Sequence, residues 1–305
     1  MKSTLSGLIA APHTSFRADG ALDLAAIPRQ AALLAHNGVS GAFVCGTTGE
    51  GYSMTIAERQ QVVMAWRASA QAGLKLIVHV GHLCLADSCT LARHAQDIGA
   101  DAIATVAPSF FKPDGAADLV EWCRQVAAAA PGLPFYYYHM PAMTGVSISA
   151  TDFMQQAKGS IPTLAGIKFT DEDLFDYGRA SDFDGGRFAM LFGRDEILLA
   201  GLSLGAAGAV GSTYNFAAPL YVNLMKAFAA GDLATARREQ SRAREFITVM
   251  HKHGGLAAGK AVMKFVGVDC GSVRLPLRGL DTSQEESLRR GLERIGFFEY
   301  CCKQP

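Results

Sequence analysis

Apolar runs of strand length alternate with longer segments of helical period along most of the chain, and no other feature constrains the fold so tightly. The runs fall at residues 7–12, 41–46, 75–81, 102–108, 135–140, 164–170, 188–193 and 208–212. Between them the helical period covers 24–37, 55–72, 87–98, 117–130, 150–157, 195–204 and 218–229. Ser53 and Thr55 are placed to open the second helix, and Asn37-Gly38 to close the first. A strand followed by a helix that returns the chain to the same sheet is a parallel βα unit, and about eight of them close a barrel. Runs such as Phe43-Val44-Cys45 and Leu76-Ile77-Val78 are apolar on both faces, as strands covered outside and packed inside must be. An open doubly wound sheet shares that property. The number of units, and the lack of a Gly-x-Gly-x-x-Gly turn after the first strand, favour a (β/α)8 TIM barrel.

After Gly231 the pattern is helical only, at 233–253, 256–266 and 283–295, with a turn-rich stretch around Cys270-Gly271 and Pro276. The expected organisation is a barrel over residues 1–230 and a C-terminal helical extension over 231–305, packed on the barrel. With 28 Lys+Arg against 28 Asp+Glu, no net field draws the protein to nucleic acid or to an anionic membrane, so a small molecule is the expected partner. The apolar run near the N-terminus is broken by Pro12 and His13, too short for a signal peptide or a membrane span, which points to the cytoplasm. Seven cysteines without paired spacing suit reduced thiols, and the terminal Cys302-Lys303-Gln304-Pro305 lacks the aliphatic pair of a prenylation site.

Reacting groups of such a barrel sit where its strands end. Five ends carry polar groups: Gly46-Thr47-Thr48-Gly49-Glu50, Tyr136-Tyr137-Tyr138-His139, Lys168-Phe169-Thr170, Gly193-Arg194-Asp195-Glu196 and Gly211-Ser212-Thr213-Tyr214-Asn215. Lys168 is the sharpest of these. Inside Gly166-Ile167-Lys168-Phe169, an ammonium facing the barrel costs several kcal/mol or gives up its proton, and a neutral lysine attacks carbonyl carbon. Read by itself, a strand lysine more often caps its strand and pairs with an acid. The threonines and glycines at 46–49 can converge hydroxyls and backbone N–H groups on a carboxylate, or make an ordinary βα turn. In the tyrosine run one face takes Tyr136 and Tyr138 and the other Tyr137. His79/His82 and His251/His253 have no third ligand at recognisable spacing, so no metal is expected. Asp171-Glu172-Asp173 reads as the acidic first turn of a helix.

These motifs, in this order, resemble the dihydrodipicolinate synthase/N-acetylneuraminate lyase superfamily over essentially the whole chain. Residues 135–146 and Gly211-Ser212-Thr213-Tyr214-Asn215 are most similar to its sialate-cleaving branch, and Met143 stands where the synthase branch usually has arginine. The resemblance implies a cofactor-free class I aldolase that cleaves N-acetylneuraminate reversibly to N-acetylmannosamine and pyruvate. It implies that Lys168 forms an imine with the keto carbon, that Tyr138 relays the proton, and that Thr47 hydrogen-bonds the phenol. Thr47 and Thr48 would hold the substrate carboxylate, and Thr170, Gly193, Asp195, Glu196 and Ser212 the polyhydroxyl tail. A homotetramer is implied too. Much of the superfamily supplies a tyrosine hydroxyl from a neighbouring subunit after the fourth strand, whereas this chain has Pro108-Ser109-Phe110-Phe111. Two alternatives share the frame: an aldolase for another 2-keto-3-deoxy sugar acid, and a non-catalytic sugar-acid-binding regulator, against which the intact lysine, tyrosine and threonine argue.

Overall fold

The computed structural model describes residues 5–70 and 73–305. Among them, β1 (Gly7–Ala10), β2 (Gly41–Val44), β3 (Lys75–His79), β4 (Ala102–Val106), β5 (Phe135–His139), β6 (Leu164–Phe169), β7 (Ala189–Phe192) and β8 (Gly208–Gly211) close a barrel in sequence order. Every neighbouring pair is parallel, β8 with β1 included. Each expected strand is present and over-runs the ladder by one or two residues, mostly at its C-terminal end, where the chain leaves the sheet for the mouth of the barrel.

The outer layer is α1 (Ile27–His36), α2 (Ile56–Ser69), α3 (Leu85–Asp97), α4 (Ala116–Ala128), the short α5 (Pro141–Thr144), α6 (Ala150–Ala157), α7 (Leu174–Asp182), α8 (Leu198–Ser203) and α9 (Tyr214–Ala229). Beyond it come α10 (Leu233–His251), α11 (Leu256–Phe265), α12 (Thr282–Arg294) and α13 (Phe297–Tyr300). The helix expected over 195–204 is in fact a 3-10 turn, Asp195–Ile197, followed by α8. The one expected over 218–229 is preceded by a further helical turn from Tyr214, and the two are separated by a break at Ala217, at φ −128° and ψ 21°, just before Pro219, whose missing N–H suits the start of the second piece. The helix expected over 55–72 ends at Ser69, with the extended Ala70 as its C-cap, and residues 71 and 72 lie outside the described residues, as do residues 1–4 of the N-terminal run. Of the two hydroxyls expected to open α2, Thr55 does so, in a reciprocal capping box with Glu58. Asn37 caps α1, and Gly38 follows at φ 78°. Asp173 caps α7, but its two acidic neighbours leave the helix: Asp171 lies 3.5 Å from His139 Nε2, and Glu172 pairs with Arg194.

Two apolar layers result. Ile9, Phe43, Ile77, Ala104, Tyr136, Tyr138, Leu191 and Val210 fill the barrel, while the larger layer lies between strands and helices. Tyr137 belongs to the outer layer, with its ring centroid 4.4 Å from that of Phe153. All seven cysteines are free, and among the described residues no helix is long and apolar enough to cross a membrane.

The C-terminal helices are tied to the mouth of the barrel by charge. Lys260, on α11, places Nζ 2.7 Å from Glu50 Oε1 with both side chains buried, and Nζ also donates to Ser272 O at 2.7 Å. Glu50 Oε2 accepts from Arg274 N at 2.8 Å, and the Arg274 guanidinium spans both oxygens of Glu58, at 2.6 and 3.0 Å. Burial lowers the Lys260 pKa, and Glu50 opposes that shift. Lys260→Met leaves the Glu50 carboxylate buried without its cation, and urea titration is expected to show a loss of about 3–5 kcal/mol. Adding Glu50→Gln should recover most of it. A loss under about 1 kcal/mol would mean the pair behaves as a solvated one.

Candidate active site

Lys168 points into the barrel from the end of β6, and Tyr138 stands beside it in register on β5. Lys168 as a whole is 5% exposed. Its Nζ lies 3.5 Å from the centroid of the Tyr138 ring and 4.6 Å from that of Phe43. Burial lowers the Lys168 pKa from the ordinary lysine value, while Tyr138 and, more weakly, Asp195 act against the shift. The expectation that such a lysine more often pairs with an acid is not met: π faces surround the amine, and these favour a cation less than water does.

The Tyr138 hydroxyl is 3.3 Å from Thr47 Oγ1 and donates to Met140 Sδ at 2.9 Å. Thr47 and Thr48 occupy a turn between two residues in the left-handed region, Cys45 at φ 58° and Glu50 at φ 52°. Neither is glycine, so the turn is held by its surroundings. Glu50 N donates to Thr47 O at 3.0 Å, Gly51 N to Gly46 O at 3.1 Å, and Thr14 Oγ1 to Gly49 O at 2.6 Å. Beneath the turn, Arg59 is buried and donates to the carbonyls of His79 and Gly81 at 2.6 and 2.8 Å. His79 puts Nδ1 3.0 Å from Cys45 O, and burial, then the Arg59 charge, keep its imidazole neutral.

On the opposite wall, Gly193 follows β7 and Gly211 ends β8, and at both contact is too close for a side chain. A Cβ on Gly193 would overlap the Thr170 hydroxyl and sit 2.9 Å from Phe169 O, and one on Gly211 would overlap the Asp195 carboxylate. Among the described residues the buried Thr170 Oγ1 has no hydrogen-bond partner, a need that a ligand hydroxyl would meet. Asp195 Oδ2 accepts from Thr213 N at 3.0 Å and from Thr213 Oγ1 at 2.6 Å. Burial and then the Glu196 charge push its carboxyl up to about 6, against the Thr213 bonds. Glu196 is half-buried, with Oε2 4.0 Å from Arg194 Nε.

Thr47, Thr48, Tyr138, Lys168, Thr170, Gly193, Asp195, Glu196 and Ser212 all line one cavity of about 190 Å³. A larger cavity of about 680 Å³ shares Thr47, Thr48, Met140 and Ser212 and runs towards Leu256, Pro276 and Leu277. The histidine pairs do not converge on one point: His82 Nδ1 faces Asp87 at 3.4 Å, whereas His253 Nδ1 faces Val249 O at 3.0 Å. Among the described residues no three His, Cys, Asp or Glu side chains are grouped to hold a metal ion.

Strand ends did not announce the wall contributed by α10. Ile247, Met250 and His251 reach the cavity from α10, while Arg194, from the strand-end segment Gly193-Arg194-Asp195-Glu196, lines it but was not singled out as a site residue. Helix period alone says which face of α10 is buried, not that its last turn overhangs the mouth of the barrel. Gln240 is different, because it interrupts the buried series Ala236, Ala243, Ile247 and Met250 at helical spacing. A polar residue at a core position is a readable signal.

The comparisons agree with this geometry. The family model described as the dihydrodipicolinate synthetase family matches residues 4–295. The N-acetylneuraminate lyase of Mus musculus is 45% identical over 282 residues, 91% of this chain and 88% of that one, and the human N-acetylneuraminate lyase is 41% identical over 304 residues, 98% and 95%. Among solved structures, the Proteus mirabilis N-acetylneuraminate lyase superposes with a TM-score of 0.94 at 43% identity, covering 97% of this chain and 100% of that one. The N-acetylneuraminate lyase (sialic acid aldolase) of Aliivibrio salmonicida has a TM-score of 0.94 at 40% identity, covering 97% and 98%. With a family match over nearly its full length and a barrel whose strand ends gather one lysine-centred cavity, this chain belongs to the dihydrodipicolinate synthetase family.

Proposed function

We propose that the protein is a class I aldolase that cleaves N-acetylneuraminate reversibly to N-acetylmannosamine and pyruvate. The observation that carries this reading is the desolvated Lys168 amine beneath the Tyr138 ring, in a cavity that Thr47, Thr48, Thr170, Asp195, Glu196 and Ser212 also line. The relatives' names support the choice of sugar acid. In this reaction Lys168 adds to the keto carbon and water leaves, giving a protonated imine. The bond between the third and fourth carbons then breaks, its electron pair passing into the imine to leave an enamine, while Tyr138 takes the proton of the fourth-carbon hydroxyl. Protonation of the enamine and hydrolysis release pyruvate and restore the amine. Thr47 orients the Tyr138 phenol and, with Thr48, receives the substrate carboxylate. Thr170, Gly193, Asp195, Glu196 and Ser212 receive the tail.

The same reading divides the chain into a barrel over residues 1–230 and an extension over 231–305, and makes the protein a cytoplasmic homotetramer with no resident cofactor and no nucleic-acid or membrane partner. Phe110 and Phe111, 75% and 86% exposed with ring centroids 5.0 Å apart, support self-association. They carry no hydroxyl for a relay between subunits.

A coupled assay for pyruvate release from N-acetylneuraminate tests the reading directly, and cleavage of only a different sugar acid would move the assignment to a sibling aldolase. Borohydride with pyruvate should inactivate the protein and add a pyruvate-derived mass at Lys168. Because a lowered pKa leaves more neutral amine at a given pH, the inactivation rate should reach its plateau below the ordinary lysine range of about 10.4. A plateau only above that range, or label on another lysine, would sink the assignment. Tyr138→Phe should cut kcat by about a hundredfold or more while trapping with pyruvate persists, and equal loss of both would deny the phenol its proton-transfer role. Activity should survive exhaustive chelation. Turnover lost to a chelator and restored by one metal would show that the imine does not suffice.

A further inference from the structure

Gln240 is 2% exposed and lies within α10, outside the barrel proper. Its carboxamide enters the turn that follows β7. Oε1 accepts from Leu199 N at 2.8 Å, and Nε2 donates to Asp195 O at 3.1 Å and to Glu196 O at 2.9 Å. In a continuous α-helix Asp195 O and Leu199 N would bond each other, four residues apart. Here the amide of Gln240 stands between them and satisfies both. A side chain inserted into this ladder breaks a helix. The break is visible: the 3-10 turn ends at Ile197, which has φ −135° and ψ 29°, and α8 starts only at Leu198.

That interruption sets where two side chains of the cavity sit. Asp195 is turned across to Thr213, and Glu196 lies on the cavity wall beside Arg194. Ordinary capping of α8 accounts for only one of the three bonds, since the Leu199 amide is among the unpaired donors of a helix start. The two donated bonds go to carbonyls of the residues that face the substrate tail, and neither belongs to α8.

We infer that Gln240 is a positioning residue for tail recognition: by wedging open the Asp195–Ile197 turn it sets selectivity for long polyhydroxyl substrates, without acting on the imine centre. The inference rests on the aldolase reading for the identity of the tail. Gln240→Met keeps the shape and removes all three bonds, and Gln240→Glu keeps the acceptor facing Leu199 but loses both donated bonds. Three quantities are measured for each: kcat/KM for N-acetylneuraminate, the rate of condensation of pyruvate with a three-carbon aldehyde, and borohydride trapping at Lys168.

Both variants are expected to lose about 10- to 100-fold in kcat/KM for the sugar acid, mostly through KM, because small misplacement of a binding group costs that much. Trapping and the short condensation should stay within about twofold of wild type. An undiminished sugar-acid rate in Gln240→Met would overturn the proposal, as would recovery in Gln240→Glu, which would reduce the residue to a helix cap. A parallel fall in all three rates, or loss of a cooperative thermal transition in both variants, would make Gln240 a support of the whole barrel and also overturn it. Wild-type protein run alongside separates the two readings. If it traps pyruvate but does not cleave N-acetylneuraminate, the lyase assignment fails, and the positioning role is then read from condensation with six-carbon against three-carbon aldehydes.

Discussion

An amine facing the interior of a closed barrel has no solvent to carry its charge, and Lys168 is in that position. Desolvation of a full ammonium costs several kcal/mol. The faces of Tyr138 and Phe43 return a part of it, on the order of 0.5–2 kcal/mol each. The balance goes against the proton, which is why the pKa moves down even with an aromatic ring at 3.5 Å. A buried carboxylate beside Nζ would have reversed that direction and left a structural ion pair. The two carboxylates that line the Lys168 cavity are kept on the far wall instead, where Thr213 holds Asp195 and Arg194 lies beside Glu196.

Around the Lys168 amine, several polar groups lining the cavity, Thr47, Thr48, Asp195 and Glu196 among them, sit on turns leaving the strands, and turns need support. Both come under the control of the C-terminal helices. The Thr47–Thr48 turn contains Glu50 in a left-handed conformation costing of order 1–3 kcal/mol, and the cation that meets its carboxylate comes from α11. The turn after β7 is held by Gln240 of α10. Helices that a barrel does not need for closure therefore fix both ends of its cavity.

The alternation of strand and helix was legible because it follows from burial on two faces, and it gave the strand count and their order. Lys168 and the threonine turn were legible for the same reason: polar residues stand out where a strand ends. Register and long-range contact were not. The tyrosine run shows that Tyr136 and Tyr138 share a face, but it does not say which face is inside. The acidic triplet at 171–173 reads as one cap, yet only Asp173 caps, since His139 and Arg194 are brought to the other two by the fold. The role of α10 depends on where a helix far along the chain docks, which local period does not encode.

The orientation of Lys168 itself turns on one irregularity that no motif announces. Side chains alternate across a strand, so counting along β6 from Leu164, which packs against the outer layer, would leave Lys168 outside as well. Instead, the pairing of β5 with β6 shifts: Phe135 stands opposite Leu164, but Tyr136 stands opposite Gly166. The extra residue, Ala165, packs against the interior, and the alternation restarts with Ile167 outside and Lys168 inside, opposite Tyr138. Gly166 permits the shift, because any Cβ there would overlap Ala189 O of β7. The glycine two residues before the lysine is thus part of the same device as the lysine. One extra residue of strand carries the amine from the helix layer into the cavity beside the phenol.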